Sequence, residues 1–458
     1  MAAFSPWEPV IRDYERLFDA WAAGGVDGLV IGPMVFEENV RSFDPEPAVY
    51  HRLGVESPPA PAEVFPEKRA RLERALTAAK DRGWQVWIFA ADGGGTVTPR
   101  GHGWTIVDRH AQDLMAARIA DTMRHFPMAD GGIVDGPEWG YEIAPQHSTP
   151  FRARQSYLFD DLPEWLAPGC ERLGHDYGAL VGAQDRLFAR LHSLTDREVA
   201  AHGGRRGGLL GAFGLLGHDT GLMDWLLFRM SALSDCYEHV RRTVAENADR
   251  PFLLAAGLRT PALAPLAGYD LPRMAATFDV LLPKHYFWHR GYDGLYGTIA
   301  RYVDTLTRWS PGLGEDSALE VASSLFGVDL PGIASLADFD AGFPAEFFEQ
   351  VVSGETRRAL AAVGDAGRVV PWIDAGRRPH FGDPVTAGDV GRILDASAAA
   401  GLRRFVYHHH GNLTPGEWAA ITRRCGVPWQ SVVLPSNQPI GPDGEGGPRY
   451  HPPDLPVL

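Results

Sequence analysis

The residues best suited to chemistry stand where short apolar runs give way to charge. One run ends Asp135-Gly-Pro-Glu138-Trp139-Gly-Tyr-Glu142, and a second leads to Arg259. A third ends Lys284-His285 and continues to Trp288-His289-Arg290; a fourth ends at Asp374, and a fifth in His408-His409-His410-Gly-Asn412. Carboxylates such as Asp135, Glu138 and Asp374 suit nucleophilic or general acid–base work, and one lodged against Trp139 is suited to carry a proton at neutral pH. Arg259, Lys284, His285, His408 and His409 suit the fixing of hydroxyls or of an acidic group. Each also has a plainer reading. Asp135 can cap a turn or helix, Glu138 can be a solvated loop residue, Asp374 can pair with Arg377 or Arg378, and a buried histidine can bond to backbone.

These positions matter only if the chain brings them together, which turns attention to the runs themselves. Eight are long enough for buried parallel strands: residues 28–36, 84–91, 131–135, 251–256, 278–285, a sixth near 318–322, then 369–374 and 404–408. Glu320 belongs to the sixth and joins the candidate site through it. Between the first two, residues 67–80 place Leu72, Leu76 and Ala79 on one stripe among charges, as an amphipathic crossover helix does. Gly83 stops that helix before the next strand, and residues 397–404 repeat the device before the eighth. Residues 295–306 and 389–400 predict further helices, the latter with Val390, Ile393, Leu394 and Ser397 on its buried face.

Eight strands alternating with helices predict an α/β fold, a closed (β/α)8 TIM barrel, because closure removes exposed edges and gathers the strand ends at one mouth. A doubly wound open sheet is the alternative. Against it, the turn after the first run reads Gly32-Pro33-Met34 and contains no G-x-G-x-x-G. The organisation expected is strands one to three in residues 1–145, a helical insertion over the mouth in 146–250, strands four to eight in 251–426, and an extended Pro/Gly-rich tail in 427–458. Glycine-rich residues 203–217 read as a loop within the insertion.

Other chemistries are less complete. Three successive histidines alternate sides on a strand, so 408–410 cannot all face one ion, although His285, His409 and Asp374 could gather a divalent metal. No G-x-S-x-G elbow is present, and Lys284 meets only the positional criterion for a Schiff-base lysine. Tryptophans beside strand ends, Trp139, Trp288 and Trp104, would suit stacking on sugar rings.

A formal charge of −15 on 458 residues disfavours nucleic-acid binding. Cys170, Cys236 and Cys425 form no C-x-x-C pair and fit a reducing compartment. The first residues lack the form of a secretory signal and no 18-residue apolar stretch occurs, so a cytoplasmic protein without membrane contact is expected. Homo-oligomer formation is left open.

Four segments together resemble the bacterial glycoside hydrolase-like (β/α)8 barrels: residues 131–138, 283–289, 368–374 and 401–408. The resemblance spans the barrel and omits the insertion and tail. It implies cleavage of a glycosidic bond by two carboxylates, a carbohydrate or glycoside as substrate, and no required cofactor. Asp135 would be nucleophile or charge stabiliser and Glu138 or Asp374 the proton donor, with Trp139, Arg259, Lys284, His285, Trp288, Glu320, His408 and His409 around the sugar. The best-known retaining clan of such barrels carries glutamates after strands four and seven, including an Asn-Glu pair; here Arg259 stands after the run counted as fourth, so the chain does not follow that arrangement. A metal-dependent hydrolase or isomerase and a non-catalytic saccharide-binding barrel are the rival readings.

Overall fold

The computed structural model describes residues 1–5, 7–32, 45–60, 66–92, 106–143, 157–159, 162–202, 208–287, 294–340, 342–373, 386–407, 413 and 415–426. Eight strands close into a parallel barrel in chain order. They are β1 (Ala2–Ser5), β2 (Gly28–Ile31), β3 (Gln85–Asp92), β4 (Gly131–Asp135), β5 (Leu253–Leu258), β6 (Val280–His285), β7 (Trp372–Ile373) and β8 (Val406–Tyr407). Closure is made where β1 pairs in parallel with β8, Ala2 beside Val406 and Ala3 beside Tyr407.

The expected barrel is therefore present, with two corrections to its strand list. Ala2–Ser5 is a strand that the apolar-run reading passed over, since four residues rich in alanine carry little signal of their own. Residues 318–322, expected as the sixth strand, lie instead inside the helix Glu315–Phe326. An apolar stretch of that length does not separate a strand from a buried helical face. Here Ala318, Leu319, Val321 and Ala322 pack inward, and Gly327, at φ 61°, ends the helix in the left-handed conformation. Glu320 sits on the exposed side of this helix, so its assignment to the site through a sixth strand is withdrawn. The first four strands thus fall within residues 1–145 and the last four within 251–426.

Alternation along each strand sorts side chains into two compartments. Val30, Trp87, Ile133, Ala255, Leu282, Trp372 and Val406 fill the lumen. Their neighbours Leu29, Ile31, Val86, Ile88, Val134, Leu254, Ala256, Leu281, Ile373 and Tyr407 belong to the larger core between strands and helices. The crossover helix Pro66–Asp81 buries Leu72, Ala75, Leu76 and Ala79, as its stripe predicts. The helix Ala387–Ala399 buries Val390, Ile393, Leu394 and Ser397.

Between β4 and β5 the chain forms a series of helices, among them Tyr177–Leu191, Asp196–His202, Gly208–Leu215 and the long Thr220–Asn247. Gly208–Leu215 replaces part of the loop expected in residues 203–217. Helix Thr220–Asn247 packs beside helix Arg109–His125, taking the place of the ordinary crossover helix, and it buries Trp225, Phe228, Leu233 and Val240. The tail 427–458 lies outside the described residues. Among the described residues, no helix is long and apolar enough to cross a membrane.

Candidate active site

Asp135 is the last residue of β4 and shares the lumenal parity of Ile133, so its carboxylate stands at the mouth. Its partner across the ladder is Gly257 of β5. A Cβ at 257 would lie 2.5 Å from Asp135 Oδ1, so the glycine leaves the space that the carboxylate occupies. On the next strand, Lys284 follows Leu282 into the lumen and brings Nζ to 3.1 Å from Asp135 Oδ1. The Asp135 side chain is 27% exposed and that of Lys284 9%, a half-buried ion pair whose acid half faces the opening.

Past β4 the chain turns at Gly136, φ 84°, and the cis Gly136–Pro137 peptide, and Glu138 then lies against Arg259 at the end of β5. Arg259 Nε donates to both Glu138 oxygens at 2.8 Å, and Nη2 donates to Oε1 as well. The Tyr269 hydroxyl donates to Oε2 at 3.1 Å. The guanidinium lies over the Tyr141 ring, 5.1 Å from its centroid. The segment carrying Arg259 is itself pinned: Glu355 accepts from the Thr260 hydroxyl at 2.8 Å and from the Ala262 N–H at 2.6 Å. Tyr237, from the long insertion helix, donates to the Pro137 carbonyl at 2.9 Å and fixes the turn from the other side. Burial, aided by the neighbouring Glu138 charge, pushes the Tyr237 and Tyr269 phenols well above the usual range, so both serve as neutral donors.

Two carboxylates thus meet two cations at the ends of three consecutive strands. They differ in freedom. Glu138 accepts on both oxygens and is 15% exposed, which suits a fixed charge or hydrogen-bond acceptor; to give up a proton it would first have to part from Arg259. Asp135 is the more open of the two.

Lys284 and His285 separate as adjacent strand residues must, and the register decides which faces inward. His285 turns away from the lumen into the core, fully buried beside the Phe287 ring at 5.1 Å. Neither of its ring nitrogens has a hydrogen-bond partner among the described residues, and desolvation holds its pKa down to about 3. It therefore neither reaches a ligand at the mouth nor shares a metal with residues there, which corrects both roles expected of it. Among the described residues, no group of three or more His, Cys, Asp or Glu side chains converges as a metal site.

Trp139 is likewise an interior residue. It is 5% exposed, its indole N–H donates to the Arg229 carbonyl at 2.9 Å, and its ring packs against Phe228 at 5.6 Å. Its place beside two carboxylates in sequence therefore makes no sugar platform; the insertion helix covers it. Glu142 is fully buried and bonded to Thr298 at 2.8 Å and to Arg301, joining this loop to helix Leu295–Trp309. Asp374, Trp288, His408 and His409 lie outside the described residues, as do Trp104, His289, Arg290, His410 and Asn412. Val370 and Trp372, which share the parity of position 374, do face the lumen. Tyr269, Tyr237 and Gly257 complete the arrangement, and no sequence signal singled them out.

No family model matches the chain, and no curated protein is significantly similar to it. Solved structures similar to it include those of glycoside hydrolases. One is the PgaB (BpsB) glycoside hydrolase domain from Bordetella bronchiseptica, at 13% identity and TM-score 0.46, covering 93% of this chain and 98% of that one. A GH18 chitinase from Pseudoalteromonas aurantia aligns at 9% identity and TM-score 0.41 over 93% and 99% of the two chains. The endo-beta-1,4-mannanase from Thermotoga petrophila aligns at 8% identity and TM-score 0.43 over 93% and 76%.

Proposed function

We propose that this protein is a glycoside hydrolase-like enzyme that cleaves a glycosidic bond at the barrel mouth, without a required cofactor. The observation that carries the reading is the adjacency of the Asp135–Lys284 and Glu138–Arg259 pairs at the ends of β4, β5 and β6. Asp135, open and set beside an ammonium group, is the carboxylate that meets the reacting carbon or its departing oxygen. Glu138, held by Arg259 and Tyr269, supplies fixed negative charge beside an oxocarbenium-like centre. Counting from Ala2–Ser5, Glu138 follows the fourth strand and Arg259 the fifth. Glu138 thus follows the strand after which that clan carries its first glutamate, while Pro137 before it and Asp374 at the end of the seventh run still depart from the clan's pattern. Asp374, at the end of the seventh run, remains the second proposed proton donor.

The test is cleavage of a broad panel of β- and α-linked glycosides and oligosaccharides, with Asp135→Asn and Glu138→Gln as controls. The reading expects turnover lost by more than a hundredfold in Asp135→Asn while saccharide binding survives. It fails if no glycoside is cleaved, or if Asp135→Asn turns over at the unaltered rate. One feature favours a second reading, a saccharide-binding barrel without catalysis: both carboxylates are already paired with cations. That reading expects saccharide affinity with no turnover in either form.

A further inference from the structure

We propose that Ser231, His175 and Asp224 form a second, acyl-transfer site in the helical insertion, directed at small carboxylic esters and independent of the barrel mouth. Ser231 and Asp224 lie seven residues apart on helix Thr220–Asn247 and so share one face, two turns or about 10 Å apart along its axis. His175 enters between them from the turn preceding helix Tyr177–Leu191. Its Nδ1 is 3.0 Å from Asp224 Oδ1, and its Nε2 is 3.4 Å from Ser231 Oγ. A neutral imidazole that donates from Nδ1 to the carboxylate presents an acceptor at Nε2 to the hydroxyl, which is the order of contacts that activates a serine.

The histidine is held in place on three sides. Its backbone N–H donates to the Cys170 carbonyl at 3.0 Å. The following residue, Asp176, caps helix Tyr177–Leu191 by accepting from the Ala179 N–H at 2.6 Å. The Phe228 ring meets the imidazole edge-on at 5.4 Å and 71°. The ensemble is reachable, the His175 side chain being 11% exposed and that of Asp224 47%. In the resting arrangement Ser231 Oγ also lies 3.1 Å from the Phe228 carbonyl, so the hydroxyl proton must turn from that oxygen to His175 Nε2.

In the proposed reaction Ser231 Oγ bonds to the ester carbonyl carbon as its proton passes to His175 Nε2. The tetrahedral adduct then collapses, breaking the bond to the alkoxy oxygen, which leaves as the alcohol with the proton from Nε2. Water attacks the acyl-serine, gives one proton to Nε2, and releases the carboxylic acid as that proton returns to Oγ.

A fluorophosphonate probe tests the site directly, because serine attack on phosphorus expels fluoride and leaves a stable adduct. The full-length protein should label at Ser231, located by peptide mass spectrometry, with no labelling at that position in Ser231→Ala. The rate should fall at least a hundredfold in His175→Gln and about tenfold or more in Asp224→Asn. Asp224 is half exposed, so Asp224→Asn carries the test should His175→Gln not fold. Asp135→Asn should label at the unaltered rate, which separates this site from the glycosidase reading. Absence of labelling at Ser231, or labelling indifferent to both His175→Gln and Asp224→Asn, overturns the proposal.

Discussion

Gly257 stands directly opposite Asp135 in the β4–β5 ladder, and the missing side chain there is what gives the carboxylate its position. A Cβ would approach Oδ1 to 2.5 Å, Cγ to 3.0 Å and the Asp135 Cβ to 3.3 Å. Gly257→Ala should therefore displace the carboxylate while the barrel survives, at a cost on the order of 1–3 kcal/mol for overpacking. Glycoside turnover should fall at least tenfold, and thermal denaturation beside kinetics checks both parts. Unaltered turnover would show that the carboxylate's placement is immaterial.

Arg259 and Glu138 should prove far more costly to separate than to replace together. Arg259→Ala leaves a mostly buried carboxylate with Tyr269 in place of a guanidinium, a loss of about 3 to 5 kcal/mol by analogy with other buried pairs. Arg259→Met combined with Glu138→Leu should recover most of that stability and none of the activity. Chemical denaturation of the two variants decides it.

Lys284→Met preserves the aliphatic stem and removes the ammonium group 3.1 Å from Asp135. Stability should change little, since the pair is partly open, whereas kcat should drop tenfold or more. Lys284→Arg should retain an intermediate rate. Steady-state kinetics on the three forms separates a charge requirement from a packing one.

His285 makes stability depend on acidity. Its folded pKa, held down to about 3, lies below the ordinary histidine value of 6.5, so the unfolded chain binds more protons in between. This contribution is complete above about pH 6.5 and drains away as pH falls toward 3, at a slope approaching about 1.4 kcal/mol per pH unit. His285→Phe, beside the Phe287 ring, should flatten that part of the acid limb. Urea denaturation of both forms at pH 7 and pH 5 reads the difference, and parallel losses would refute the burial argument.

Legibility in the sequence followed the strength of local signals. Residues 131–135 announced a strand and its reactive end because the switch from Gly-Gly-Ile-Val to Asp is abrupt, and Asp135 stands at the mouth as that switch implies. Helix Pro66–Asp81 was equally plain from its stripe and its glycine stop. Ala2–Ser5 was silent because its partners, Gly28–Ile31 and Val406–Tyr407, are what make it a strand. For Lys284 and His285 alternation demanded opposite sides, but only the pairing register could say which faced the lumen. Trp139 misled for a related reason: adjacency to Glu138 says nothing of the distant helix that covers it, and Tyr237 and Tyr269 reach the site by equally long-range contacts.

Arg229 has a practical consequence for anyone wishing to pare this protein to a minimal barrel. Its guanidinium donates to the Leu266 carbonyl and to that of Gly140, while its own carbonyl receives the Trp139 indole. The interposed helices therefore behave as a tie-beam, and excising them would be expected to slacken the very loop that holds Glu138, leaving a shell with its working parts adrift.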